Sequence, residues 1–80
     1  MARQVITPRE LAAWMTEQIR QYEGCEEVEV GEPMELREPD EAGCNWSDSM
    51  VLRATGVPKE LLNPAFGRVL AEARKRFNVE

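Results

Sequence analysis

The side chains best suited to chemistry lie between Asp40 and Asp48, where the sequence reads DEAGCNWSD. Carboxylates and an amide stand here beside an aromatic ring, and such groups hydrogen-bond to a partner or pack against it. The favoured alternative is a tight turn that leads into a strand, in which Asp and Gly serve the turn and Trp46 anchors the core. Asp40, Asn45 and Trp46 are therefore candidate binding residues, with a structural role as the alternative.

Cysteine chemistry would have to use Cys44, which lies in the same segment. The chain has no His, which excludes a His-based catalytic triad, and no Lys stands near Cys44 in the sequence to activate the thiol. Cys44 also falls on the apolar side of an alternating segment, which favours a small buried side chain. We therefore expect no catalytic residues, and a minor thiol-dependent enzyme or redox role is kept only as an alternative function.

The sequence contains no pattern typical of a metal or cofactor site. Two cysteines are too few for a four-Cys zinc site, and the acidic residues lack the spacing of a calcium-binding EF-hand loop. The five glycines match neither a dinucleotide-binding motif nor a phosphate-binding P-loop. We therefore expect no metal and no cofactor.

The expected compartment follows from two further features of the sequence. The N-terminal residues lack the apolar region of a secretory signal, and no run approaches the ~18 apolar residues that a membrane span needs. We therefore expect a cytoplasmic protein without membrane association. In that compartment Cys25 and Cys44 should be free thiols.

Charge is distributed unevenly along the chain. The net charge is −5 at pH 7, and residues 23–48 hold ten acidic side chains but a single basic one, Arg37. An acidic surface repels phosphates, so nucleic acid is not an expected partner. A nucleic-acid-binding or nucleic-acid-mimicking accessory protein is nevertheless an alternative function. The basic residues near the C-terminus are interpreted as a solvated helix face: Arg68, Arg74, Lys75 and Arg76.

The first helix is expected to begin with a capping box. Thr7-Pro8-Arg9-Glu10 places a hydroxyl and a carboxylate three residues apart, with Pro at the first helical position. Apolar residues then recur at three- and four-residue steps up to Tyr22, and Gly24 is a natural stop. The spacing predicts a helix from Pro8 to Glu23, after a flexible or loosely attached segment at residues 1–5.

Between residues 28 and 54 the hydrophobic period changes to two, with apolar residues mostly at even numbers and polar residues mostly at odd numbers. A turn at residues 39–43 would close an antiparallel hairpin. Gly31-Glu32-Pro33 interrupts the first arm, so we expect a bulge or a second turn there. One long bent hairpin and a three-stranded meander both remain open. The pairs predicted for the long hairpin are Leu36 with Trp46, Val30 with Leu52, and Glu29 with Arg53.

The polar face of this hairpin is expected to be open to water, and it supplies the remaining candidate binding residues. Its charged side chains are Glu27, Glu29, Glu35 and Arg37.

The last helix is expected to start at the Asn63-Pro64 pair, after a short helical turn at residues 58–62, and to extend to Phe77. The resulting order, α-β-(β)-β-α, predicts a single α+β domain over residues 1–80. Its expected architecture is a two-layer sandwich, with two helices on one face of a small antiparallel sheet.

No motif in the sequence imposes an activity, so the function prediction combines the absence of a catalytic constellation with the charged sheet face. We expect a small acidic protein–protein interaction module without catalytic activity. Its partner would be another protein or a second copy of the chain, because a domain this small can dimerise to cover apolar surface that its own helices leave bare.

Overall fold

Two helices and six short strands make up the structure, a computed structural model that describes residues 3–41, 43–47 and 50–80. The expectations for Met1 and Ala2 in the N-terminal segment, Ala42 in the turn, and Asp48 and Ser49 in the second hairpin arm lie outside these residues. In chain order the elements are β1 (Gln4–Ile6), α1 (Pro8–Ile19), β2 (Glu29–Val30), β3 (Met34–Glu35), β4 (Trp46–Ser47), β5 (Leu52–Arg53), α2 (Lys59–Arg76) and β6 (Phe77–Val79).

The capping box at the start of α1 is confirmed. The Thr7 hydroxyl accepts from the Glu10 backbone N–H, and the Glu10 carboxylate accepts from the Thr7 backbone N–H, each at 3.0 Å. The pKa of the Glu10 carboxyl is held below its usual value. The main cause is the hydrogen bond from the Thr7 backbone, and the Thr7 hydroxyl makes the smaller contribution. The stabilisation from this contact is therefore present near neutral pH and is lost as the pH falls through that lowered pKa.

Helix α1 ends at Ile19 and not at the predicted Glu23. The N–H of Tyr22 donates to the carbonyl of Ile19, three residues back, so the chain tightens into turns beyond the helix. A further turn at Gly24 has φ +84°, the left-handed conformation that glycine adopts without steric cost. This early departure from the helix axis lets Cys25 enter the core, where it is fully buried.

The middle of the chain is the long bent hairpin of the two predicted topologies. The register of β2 with β5 is confirmed, since Glu29 lies opposite Arg53. The predicted pair of Leu36 with Trp46 is wrong by one residue, because Glu35 is the residue opposite Trp46. The paired strands are separated by three residues in the first arm and by four in the second. The first arm is interrupted at residues 31–33, where a bulge or a second turn was expected, and the extra residue lies in the second arm.

This one-residue offset has a consequence for the exposed surface. A shift of one residue moves a strand's side chains to the opposite face. Met34, which the alternation places on the apolar face, instead lies opposite Ser47 and is 65% exposed. The hairpin therefore presents an apolar side chain that the periodicity assigns to the core.

The two chain ends form a parallel pair that the sequence analysis did not predict. Gln4 of β1 lies opposite Phe77 of β6, so α2 ends before Phe77. Gln4 and Val5 are held in this pair, which departs from the expected loose attachment of residues 1–5. A three-residue strand is too short to show a period, and its partner lies at the other end of the sequence.

The predicted single antiparallel sheet is wrong for the described residues. Their strands form three two-stranded pieces, of which the terminal one is parallel, so the observed order is not α-β-(β)-β-α. The helices contact each other and β6, and α1 also contacts β2. The chain is thus a small α+β domain whose two helices link the hairpin to the terminal strand pair.

The prediction that α2 starts at Asn63-Pro64 is also wrong. The helix is continuous from Lys59, and the N–H groups of Leu61 and Leu62 donate to the carbonyl of Pro58. Pro64 lies inside the helix, where it lacks the N–H that would donate to the residue four positions back. An Asn-Pro pair is typical of a helix start, but here the proline lies in the second turn of a helix that has already begun.

The core lies between the helices and the hairpin. Both cysteines are free, and Trp14 packs edge-on against Phe77 with the ring centroids 5.0 Å apart. Small residues of α2, Ala65 and Ala73, face this core and are buried. The largest fully buried side chains are those of Trp46, Leu11, Met15, Ile19, Val28, Cys25 and Cys44.

Gly67→Ala is expected to raise the free energy of unfolding by about 0.5–1 kcal/mol, because glycine is a poor residue within a helix. A Cβ atom at this exposed position in α2 would meet nothing within 4 Å. Urea denaturation measures the change. The matched variant Gly24→Ala should lower stability by about 1–2 kcal/mol, since its φ is left-handed. If both variants changed the free energy of unfolding in the same direction, the backbone conformations described for residues 24 and 67 would be contradicted.

Candidate interaction surface

The charged side chains predicted on the polar face of the hairpin are exposed. We call the set Glu27, Glu29, Glu32, Glu35 and Arg37 the acidic surface. Glu27 belongs to the turns that follow α1, and the others lie along the first arm of the hairpin. Four carboxylates and one guanidinium give this surface a net negative charge.

Most of this negative charge is not neutralised by the protein itself. Glu29 faces Arg20 at 3.7 Å and Arg53 at 4.0 Å. All three side chains are more than 40% exposed, so water screens these pairs and they contribute little to stability. Over the ranges that the structure covers, Glu27 and Glu35 form no ion pair. Their charge is therefore available to a partner.

The outer edge of β2 is closed by α1. The N–H of Val30 donates to the Thr16 hydroxyl at 3.0 Å, and that hydroxyl donates to the carbonyl of Ala12 at 2.8 Å. A shallow groove of about 510 Å³ lies on this boundary, with small apolar side chains and Glu29 in its lining. A partner strand therefore cannot extend the hairpin along β2, but a side chain can lie in the groove beside Glu29.

Asn45 acts as a bridge between the hairpin and β6. Its amide nitrogen donates to the carbonyl of Val79 at 2.6 Å, and the N–H of Val79 donates to the amide oxygen at 2.8 Å. The side-chain amide thus pairs with the backbone of β6 as a peptide group of a neighbouring strand would. A second side-chain amide joins the same two elements, since Asn78 of β6 donates to the carbonyl of Gly43 at 3.1 Å.

Asp40 ties the hairpin turn to the end of α2. One carboxylate oxygen lies 2.5 Å from the guanidinium of Arg74, and the other accepts from the N–H of Cys44 at 3.1 Å. The guanidinium of Arg3 donates to the carbonyls of Arg74 and Phe77 next to this contact. Asp40 therefore has a structural role in positioning the turn.

Trp46 is fully buried, and its indole N–H donates to the carbonyl of Phe77 at 2.9 Å. The ring is a core anchor and is not presented to a partner at the surface. Cys44 is also fully buried, with its thiol 3.5 Å from the carbonyl oxygen of Trp46.

The candidate residues thus divide into two groups. Glu27, Glu29, Glu35 and Arg37 lie on the acidic surface, whereas Asp40, Asn45 and Trp46 hold the hairpin against β6 and α2. The alternation assigned Met34 to the apolar face, and its 65% exposure follows from the register, which a one-residue offset changes. Val51 falls on the polar side of the alternation and is 68% exposed.

The arrangement shows no metal centre and no transmembrane helix within the residues that the structure describes. No group of three or more Cys, Asp or Glu side chains is placed to hold a metal ion. Neither helix is long and apolar enough to cross a bilayer. No family model, characterised protein or solved structure matches the chain.

Proposed function

We propose that the chain is a small acidic interaction module without catalytic activity, and that its acidic surface binds a cationic surface of a partner protein. The observation that carries this proposal is the set of exposed carboxylates on one hairpin, next to the exposed side chain of Met34. The proposed site of action is the cytoplasm, where both thiols stay reduced.

In the proposed interaction, charge and apolar contact make different contributions to binding. Unpaired surface charge attracts an oppositely charged partner over a distance of about 8–10 Å at physiological salt, and it orients the encounter. Apolar side chains at the centre of a contact then lose their exposure to water, which supplies most of the affinity. Met34 lies between Glu32 and Glu35 along the chain, so both kinds of contact occur within four residues.

The test is quantitative capture of bound proteins by the tagged chain, comparing two variants with equal changes in net charge. Glu27→Gln/Glu29→Gln/Glu35→Gln should weaken partner binding about tenfold, because three exposed charge contacts together contribute about 1.4 kcal/mol. The control Glu38→Gln/Glu41→Gln/Glu80→Gln changes exposed carboxylates outside the acidic surface and should leave binding within twofold.

Equal losses in the two variants would mean that only net charge matters, and an unchanged partner set in the first would exclude the acidic surface. Circular dichroism of both variants verifies that they remain folded. A captured partner whose own ligand is nucleic acid would identify the acidic surface as a mimic of nucleic-acid charge.

A further inference from the structure

A second groove, of about 410 Å³, runs between α1 and α2. Trp14 of α1 and Tyr22 of the turns after α1 line it and are half-buried, and Arg68 and Lys75 of α2 line it and are exposed. The two rings are far in the sequence from the basic residues of α2, which were expected to form a solvated helix face. Packing of the two helices brings the aromatic and cationic side chains together.

The charge in this groove is positive on balance. Over the described ranges, Arg68 and Lys75 form no ion pair. The carboxylate of Glu72, which also lines the groove, is held by Arg76 at 2.7 Å. We call this part the cationic groove. Beyond Arg68 it continues into a smaller depression, whose lining includes acidic side chains.

Such a groove fits a segment that carries an apolar side chain between carboxylates. The chain has such a segment on its own surface, since Met34 is 65% exposed and is flanked in the sequence by Glu32 and Glu35. Thioether sulfur makes favourable contacts with aromatic rings, and carboxylates pair with arginine and lysine. The two surfaces are therefore complementary both in charge and in apolar chemistry.

We propose that the cationic groove receives residues 32–35 of a second copy of the chain. Met34 of one copy contacts Trp14 and Tyr22 of the other, and the negative charge of Glu32 and Glu35 near it attracts Arg68 and Lys75. This inference rests on the proposed function, because it takes the acidic surface as the binding surface and names its partner. Each copy has both surfaces, and the proposed dimer is the reciprocal exchange, in which two copies make two equal contacts.

The groove chemistry favours an acidic protein segment over nucleic acid. One face of the Trp14 ring has the Arg76 guanidinium over it, 6.0 Å from the ring centre, and the ring packs edge-on against Phe77. Trp14 therefore does not offer two free faces for stacking between bases.

The test uses two charge-reversed variants and their mixture. Arg68→Glu/Lys75→Glu reverses the groove, and Glu32→Lys/Glu35→Lys reverses the segment that enters it. The wild type should have twice the 9.1 kDa mass of the chain in light scattering at low salt. Each variant alone should dissociate at protein concentrations at least about tenfold higher than the wild type does, because like charges then face each other. An equimolar mixture should regain the dimer, since both contacts again pair opposite charges.

The control Arg9→Glu/Lys59→Glu makes the same charge change at exposed positions outside the groove and should remain dimeric. A wild-type mass of one chain at every concentration would overturn the inference, and the capture experiment would then test the proposed function separately. A dimer that persists in the groove variant, or a mixture that stays monomeric, would also overturn it. A wild type that stays monomeric and binds a labelled oligothymidylate, with that binding lost in the groove variant, would assign the groove to nucleic acid instead.

Discussion

Trp46→Ala is expected to abolish cooperative folding at 25 °C. The indole is fully buried, and truncation of such a side chain costs about 3–5 kcal/mol through lost burial and the cavity that remains. The net stability of a single core in a chain this short is of the same size, about 3–5 kcal/mol. The variant also leaves the carbonyl of Phe77 without its indole donor. Thermal unfolding followed by circular dichroism measures the effect.

Trp46→Phe is the matched variant, because it keeps an aromatic ring in the cavity and removes only the indole N–H and part of the volume. It should remain folded and lose about 1–3 kcal/mol, because the Phe77 carbonyl loses the indole donor and keeps the more distant Arg3 guanidinium at 3.4 Å. If Trp46→Ala instead unfolded cooperatively with a loss below about 0.5 kcal/mol, typical of a surface substitution, the ring would not be a core anchor. Trp46 would then again be a candidate for binding a partner.

Local chemistry explains most of what the sequence predicted correctly. The capping box needs only Thr7 and Glu10, which are three residues apart, and the structure forms both of its hydrogen bonds. The pair of Glu29 with Arg53 follows from alternation in two arms that one turn connects. Each of these features depends on residues that are close in sequence or share one period, so each is visible without knowledge of the tertiary fold.

The features that the sequence could not predict are set by contacts across the whole chain. Strands β1 and β6 pair although more than seventy residues separate them, and neither is long enough to show a period. The second arm of the hairpin has one residue more between its two paired strands than the first arm has, and nothing in the local sequence marks this offset. The cationic groove exists only because Trp14 of one helix packs beside Lys75 of the other.

The position of the acidic surface depends on side chains that the sequence offered as binding residues. Asp40 joins the hairpin turn to Arg74 of α2, and Asn45 joins the hairpin to the backbone of β6. These two residues hold one end of the hairpin, while Thr16 of α1 holds the edge of β2 near the other end. The polar residues of the turn thus serve the proposed function indirectly, by fixing where the exposed carboxylates lie.

Asn45→Ala is therefore expected to lower the free energy of unfolding by about 2–4 kcal/mol. Val79 is 2% exposed, and the variant leaves both its N–H and its carbonyl without the amide partner. A buried polar backbone group without a partner costs about 1–3 kcal/mol. Urea denaturation measures the global loss, and amide hydrogen exchange at Val79 should accelerate more than exchange in the middle of α1.

The control is Asn63→Ala, which removes the same amide from an exposed position in α2. It should change stability by a few tenths of a kcal/mol, in the stabilising direction, because alanine is the better helix former. Equal effects of the two substitutions, with unchanged exchange at Val79, would mean that the Asn45 amide does not bridge to β6. Asn45 would then be free to contact a partner, and the hairpin would need another attachment to keep the acidic surface in place.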